Sequence, residues 1–341
     1  MTHSPNSQAL VDQYKLAATI GRNLQEFLTS YDVELAPLAQ SLEINPDDFQ
    51  KLGARISLDR FCRLLELLAT VTRDDCLGLK YGQHFKIGGT GPFGYGLNNA
   101  PTFKEALRFL VKYVGITADL DVLNLFTDSE RIVIQWNVSP LVMKPQQFCD
   151  FSAAIIMRQL HQAAGMEIRP SRAQFQRPAP EDKSFHSQYF SRSIKFSAEQ
   201  NQVELPASLL AHKNQGADTV LFELMTKQCE EITQSLKAEK GIVIRVKEDL
   251  VNHLVNGDTS ILSVASRLAL SERTLQRRLT KAGKTFHELY TESRSELSLS
   301  FLKETDLPLS EISRRLGYSA PSAYSRAATK WHGKAPHLLR K

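Results

Sequence analysis

The sequence predicts an α+β domain over residues 1–210 and an all-α domain over residues 242–341, with a linker and connecting helix at 211–241. The second domain is expected to hold two helix-turn-helix motifs joined by a long helix. Three observations lead there. A short pattern occurs twice between Ile261 and Gly333, about fifty residues apart. Before it, hairpin-like runs alternate with helical runs, without the strand-helix-strand series of a doubly wound sheet. Charge is also segregated: from Gly241 onward there are 17 Lys/Arg against 10 Asp/Glu, whereas the preceding residues carry 25 against 27.

From Val11 to about Phe85 the chain reads as helical throughout. Leu16, Ile20, Leu24, Phe27 and Leu28 form one apolar stripe at helical spacing, and Leu58, Phe61, Cys62, Leu65 and Leu68 form another. Asn45 caps a helix beginning at Pro46. The glycine-rich run Ile87 to Gly96 has neither GxGxxG nor GxxxxGK[ST] spacing, so it reads as a loop whose backbone packs closely on a neighbour or a ligand and not as a phosphate cradle. Thr102 then caps a helix that buries Phe103, Ala106, Leu107, Leu110 and Val111. Leu120–Phe126 and Arg131–Val138 make a hairpin, with Ile132, Ile134 and Trp136 on its more apolar face. A long helix follows at Lys144–Gly165. Strands at Ala173–Arg177 and Ile194–Leu205 flank a Pro-rich turn and a short helix.

The polar run His212 to Ala217 reads as a linker into a helix at Asp218–Glu239, whose apolar side is Leu221, Leu224, Met225, Ile232 and Leu236. That helix joins the domains or pairs with a second subunit. After a break at Lys240-Gly241, Val246, Leu250 and Leu254 are placed beneath the first repeat, which reads SVASRLALSERTLQRRLTKAG; the second reads SEISRRLGYSAPSAYSRAATKWHG. In each, a small amphipathic helix precedes a break, and Ser271 or Ser319 then stands where an N-cap is wanted. The second helix of each copy keeps one apolar face and projects Arg277 or Arg326 elsewhere, as a DNA-reading helix does. Thr285 to Thr305 is one uninterrupted helix of about 30 Å, close to the ~34 Å turn of B-DNA between successive major-groove entries. Excess positive charge confined to this region is the footprint of a phosphate-binding domain.

These residues carry a resemblance. Ile242 to the C-terminus, and GYSAPSAYSRAATKWHGKAP most closely, resembles the DNA-binding domain of the AraC/XylS family of bacterial transcription regulators, with Ala328 where that family usually has Phe. The segment GYGLNNAPTFKEALRFLVKYVGI resembles the arabinose-binding-like regulatory half of one branch of it. The resemblance implies partners: double-stranded DNA, an unknown small-molecule effector, RNA polymerase and a second copy of the chain in a homodimer. It also implies roles. Arg273, Thr274, Gln276 and Arg277 in the first reader, and Ser319, Ser322, Ala323 and Arg326 in the second, face bases. Arg273 and Arg277 suit guanine, Gln276 adenine, and Ala323 only a thymine methyl. Lys281, Lys284, Arg314, Arg315 and Lys330 face phosphates.

No catalytic, metal or cofactor site is read from the sequence: there is no GxSxG, no HExxH and no zinc-spaced His/Cys cluster. His161 reads as a core or surface histidine. The four cysteines, Cys62, Cys76, Cys149 and Cys229, lack CxxC spacing and read as buried reduced thiols in a cytoplasmic protein. The N-terminal MTHSPNSQAL lacks a leader's layout, and no stretch is apolar enough to span a membrane. Tyr95, Asn98, Trp136, Phe148 and Arg158 are the candidate effector residues, Arg158 for a carboxylate. The expected function is an effector-controlled transcription activator; the alternative is an effector-independent repressor or architectural protein whose N-terminal domain only dimerises.

Overall fold

A computed structural model describes residues 11–12, 14–120, 122–139, 142, 144–239, 241–254 and 258–340. The N-terminal ten residues and Lys240, used above for the leader and the second break, lie outside the described residues. The chain divides into two compact units, one of Tyr14–Val138 and Lys144–Leu236, the other centred on Lys237–Lys341.

The first unit opens with strand β1 (Lys15–Ala17), paired antiparallel with β2 (Arg55–Ser57) so that Leu16 faces Ile56. Between and after them come α1 (Leu24–Leu28), α2 (Leu35–Ser41), α3 (Leu58–Thr72) and α4 (Leu77–His84). The expectation of helix throughout Val11–Phe85 is therefore corrected. Three-residue strands are too short for period-two alternation to stand out from a helical stripe. Asn45 does cap, its Oδ1 accepting from Asp47 N at 3.1 Å, but what it starts is a 3₁₀ turn, Pro46–Gln50.

The glycine-rich run is also more regular than a loop. It forms a 3₁₀ turn, Ile87–Thr90, and helix α5 (Pro92–Asn98). Its close packing holds, since a Cβ on Gly96 would lie 2.3 Å from the Phe109 ring. Helix α6 (Phe103–Tyr113) is capped by Thr102, whose hydroxyl accepts from Glu105 N. Phe109 takes the buried place expected of Val111, which is exposed.

A five-stranded sheet has the order β3-β4-β7-β5-β6, with β3 (Val122–Thr127), β4 (Arg131–Asn137), β5 (Arg172–Gln174), β6 (Ile194–Lys195) and β7 (Asn201–Pro206). All its pairings are antiparallel except β5 with β6. Ile132, Ile134 and Trp136 are fully buried in one apolar core with α6 residues and with Ala153, Met157 and Leu160 of the long helix α7 (Gln146–Ala164). Helix α4 lies directly on α7 because Gly78 and Gly82 present no side chain. A Cβ on Gly78 would sit 2.0 Å from Gln147 O, and one on Gly82 2.5 Å from Ala154 Cβ. Between these glycines Tyr81 stacks on Phe151 at 4.9 Å.

Residues 212–217, read above as a linker, and Asp218 after them are bonded into this unit. Asn214 donates to the carbonyls of Asn98 and Ala100, and Asp218 N donates to Asn99 Oδ1. Helix α8 (Ser184–Tyr189) precedes them, and α9 (Thr219–Glu239) follows. The inward stripe of α9 runs through Phe222, Cys229 and Ile232, with Phe222 5.5 Å from Phe109, whereas Leu224 is exposed. Of the expected stripe, Ile232 packs on the core, Leu221, Met225 and Leu236 are half-buried, and Leu224 alone is exposed; Phe222 and Cys229 are the further anchors.

The second unit is wholly helical among its described residues: α10 (Ile242–Leu254), α11 (Ile261–Arg267), α12 (Glu272–Lys281), α13 (Phe286–Glu304), α14 (Leu309–Arg315) and α15 (Pro321–His332). Val246 and Leu250 of α10 meet Val264, Ala265, Leu275, Leu279 and Leu289 in one buried cluster. Helix α13 begins with a reciprocal Thr285–Glu288 capping box and has 19 residues, or about 28 Å of rise.

Candidate nucleic-acid interface

Each repeat is positioned by a left-handed turn residue and a buried pair on its second helix. In the first, Ala269 takes φ 54° and Ser271 caps α12, its Oγ accepting from Thr274 N at 3.2 Å. Leu275 and Leu279 anchor that helix in the core. At 3.6 residues per turn the opposite line is Arg273, Arg277 and Lys281, and all three are exposed. Thr274 and Gln276 are engaged locally. The Thr274 hydroxyl lies 2.8 Å from Ser271 Oγ, and the Gln276 amide donates to Glu272 Oε1 at 3.1 Å.

The second repeat differs by one residue. Gly317 takes φ 71°, but the helix cap comes three residues later, at Ala320, whereas Ser271 follows Ala269 by two. Ser319 therefore stands one place before the cap, correcting the N-cap expected of it. Ala320 makes no side-chain cap bond, and Pro321 opens α15 at a position where no intrahelical N–H is lost. Tyr324 and Ala328 are buried, so Ser322, Arg326 and Lys330 form the outer line; Ala323 is half-buried to one side. The Tyr324 hydroxyl lies 2.9 Å from Ser298 Oγ, and the Arg294 guanidinium covers the Tyr318 ring at 3.6 Å. Both contacts fix the second repeat to α13.

Ion pairing divides the basic side chains. Lys284 is 2.6 Å from Glu292, Lys247 joins Glu292 to Glu296, and Arg267 is bidentate to Asp249. Arg314 and Arg315 share Glu311, whose carboxyl they hold down to about 2. Arg273, Arg277, Arg278, Lys281, Arg326 and Lys330 have no acidic partner among the described residues. Arg278, exposed one place beyond Arg277, was not singled out in the sequence; its unpaired charge is what marks it. Cations left without counter-ions on the outer faces of two half-exposed helices form a surface complementary to phosphate and to base edges.

The five effector candidates are not brought together. Trp136 lies in the sheet core, and Phe148 packs between Phe61 and Phe151. Tyr95 is exposed on α5; the Asn98 side-chain oxygen is buried without a partner. Of the five, only Arg158 lines a cleft of about 550 Å³.

One polar cluster escaped sequence reading altogether. Asp150, fully buried on α7, accepts from Arg177 Nη1 and lies 3.0 Å from His186 Nε2. Arg177 continues to Asp75, and His186 Nδ1 lies 3.7 Å from Cys76 Sγ. The series Cys76, His186, Asp150 has the connectivity of a thiol nucleophile, yet burial pushes the Cys76 thiol up to about 11, the opposite of activation. The cluster is a structural clamp. Among the described residues no group of His, Cys, Asp or Glu could hold a metal, and no helix is long and apolar enough to cross a membrane.

Two duplicated helix-turn-helix units with unpaired cations on their reading faces define a DNA-binding transcription regulator. Comparison with known proteins agrees. Residues 33–214 match the arabinose-binding domain of AraC transcription regulator, N-terminal, and residues 264–341 match a helix-turn-helix domain. The chain belongs to the AraC family of transcription regulators. It is 26% identical to the ornithine utilization regulator of Pseudomonas aeruginosa over 92% of each chain. It is 25% identical to the HTH-type transcriptional regulator VirS of Mycobacterium tuberculosis, over 89% of this chain and 90% of that one. Among solved structures, the transcriptional regulator CdpR from Pseudomonas aeruginosa aligns with a TM-score of 0.43 at 22% identity, over 90% of this chain and 96% of that one.

Proposed function

We propose that this regulator is an activator controlled by a small-molecule effector bound in its N-terminal unit, acting on double-stranded DNA as a homodimer and presenting a surface to RNA polymerase. The observation that carries the DNA half of the reading is the outward line Arg273, Arg277 and Lys281 on α12, unpaired and four residues apart. In this reading Arg273 and Arg277 take guanine O6/N7. Gln276 reaches adenine once it leaves Glu272. Thr274, Ser319, Ser322, Ala323 and Arg326 complete the base-facing set. Lys281 and Lys330 meet phosphates directly, whereas at Lys284, Arg314 and Arg315 the phosphate competes with a carboxylate already in place. Exposed Val220 and Leu224, four apart on α9, are the apolar pair available to a second copy. The arabinose-binding match and the name of the ornithine utilization regulator support metabolite control.

Lys281→Ala is expected to weaken binding to all sequences alike and to lower the slope of log affinity against log salt by about 1. Salt titrations of specific and random duplexes check this; a loss confined to the specific duplex contradicts it. Effector control is tested on the full chain. A metabolite that binds only the folded state raises the melting midpoint by mass action. The reading predicts that such a metabolite also changes output from the regulated promoter. Output that stays constant with every stabilising metabolite contradicts it and favours an effector-independent protein.

A further inference from the structure

The cleft beside α7 contains a guanidinium with no carboxylate partner among the described residues. Arg158 projects from α7 to the end of α4, where Nη1 donates to the carbonyls of Gln83 and Phe85, both at 2.5 Å. These carbonyls belong to the last turn and end of a helix, which lacks intrahelical donors there. They fix the guanidinium plane and leave Nε and Nη2 uncommitted. Arg158 has no ion pair among the described residues, although it is half-buried. A guanidinium held on one side by carbonyls and open on the other suits a carboxylate, which it can meet through two parallel hydrogen bonds.

The rest of the cleft says what kind of partner fits. Phe185 and Tyr189, four residues apart on α8, supply two rings, and the Tyr189 hydroxyl is already spent on Ala154 O at 3.0 Å. Gln83 and Gln188 supply neutral amides. At the rim Arg169 and Glu167 pair with each other at 3.0 Å and leave no net charge there. His161 also lines the cleft, but burial holds its imidazole below the usual histidine range and Nε2 lies 2.6 Å from Ile168 O, so the remaining formal charge is that of Arg158. The volume, about 550 Å³, is within the range that small ligands occupy.

We propose that this cleft binds a small organic carboxylate, with its carboxylate on the free edge of the Arg158 guanidinium and its apolar body against Phe185 and Tyr189. This deepens the effector reading and rests on it for any regulatory consequence, though binding itself does not. Full-length protein is titrated calorimetrically with benzoate and phenylacetate, and with benzamide and phenylacetamide as neutral counterparts. At least one acid binds saturably, and its amide binds on the order of ten- to a hundred-fold more weakly, the worth of a charge-assisted hydrogen bond. Arg158→Gln produces a loss of similar size, and Arg158→Lys an intermediate one. Because Arg158 also holds α4, Gln188→Glu is the second variant: it adds a repelling charge at an exposed position and weakens the acid at least ten-fold with the unliganded melting midpoint unchanged. No binding by any acid, equal binding of acid and amide, or unchanged binding in both Arg158→Gln and Gln188→Glu overturns the site. An Arg158-dependent acid that leaves promoter output unchanged supports the site and removes effector control. A different compound that changes output equally in wild type and Arg158→Gln supports effector control and overturns this site as its seat.

Discussion

Asp150→Ala is expected to destabilise the N-terminal unit by about 3–5 kcal/mol, the cost of leaving a buried charge without its partner. The partner is Arg177, 4% exposed, whose guanidinium is held by Asp150 and Asp75. Without Asp150 that cation keeps only the half-exposed Asp75 and faces His186, and two groups that had shared one carboxylate oxygen are left to each other. The loss reaches across the unit, because the cluster ties α7 to the segment before α4, to the chain after β5, and to α8. Urea titration followed by Trp136 fluorescence in a Trp331→Phe background isolates this unit, since the chain has only these two tryptophans. Asp150→Asn, which keeps the shape and one acceptor, is expected to cost less. A shift below about 1 kcal/mol in Asp150→Ala, the size of an exposed pair, contradicts the clamp.

Arg273→Ala/Arg277→Ala is expected to remove about 2–6 kcal/mol of specific DNA binding, at about 1–3 kcal/mol for each guanine-facing arginine. Both side chains are exposed and unpaired, so the substitutions leave no buried partner behind and α12 keeps its Leu275–Leu279 anchor and Ser271 cap. Gel-shift titration on the target and on random duplex separates the effects. The specific complex falls towards the random one, while the random complex loses only the electrostatic share of two charges. Equal losses on both duplexes would make these arginines phosphate contacts and move base reading elsewhere.

The C-terminal unit was legible in the sequence because its information is local. The pairs Leu275–Leu279 and Tyr324–Ala328, the cap at Ser271 and the uninterrupted run from Thr285 to Thr305 all lie within the helices they define or next to them. The one local error, at Ser319, came from a single extra residue after Gly317. Matching serines in two repeats gives no sign of it, since only backbone geometry shows which residue has the capping conformation. In the N-terminal unit the hairpin, the Thr102 cap and the long helix were legible for the same reason. The strand pair of Leu16 and Ile56, the docking of Asn214 on Asn98 and the Asp150–Arg177–His186 cluster join residues far apart in the chain. No periodicity records such pairings. The candidate ligand residues are scattered for the same reason: Trp136 and Phe148 are large apolar side chains that the core takes up, whereas Arg158 lines the cleft beside α7.

The two readers present unequal outer lines to DNA. Helix α12 presents two unpaired arginines on its outer line, whereas α15 presents Ser322 and Arg326 with Ala323 beside them. Selection from randomised duplexes by wild type, Arg277→Ala and Arg326→Ala measures this difference directly. Arg277→Ala is predicted to flatten base choice at one position of the recovered site with about 1–3 kcal/mol of affinity lost, and Arg326→Ala to leave the recovered site nearly unchanged. Recovery of the wild-type site, at wild-type affinity, by Arg277→Ala would contradict the assignment of α12 as the principal reader.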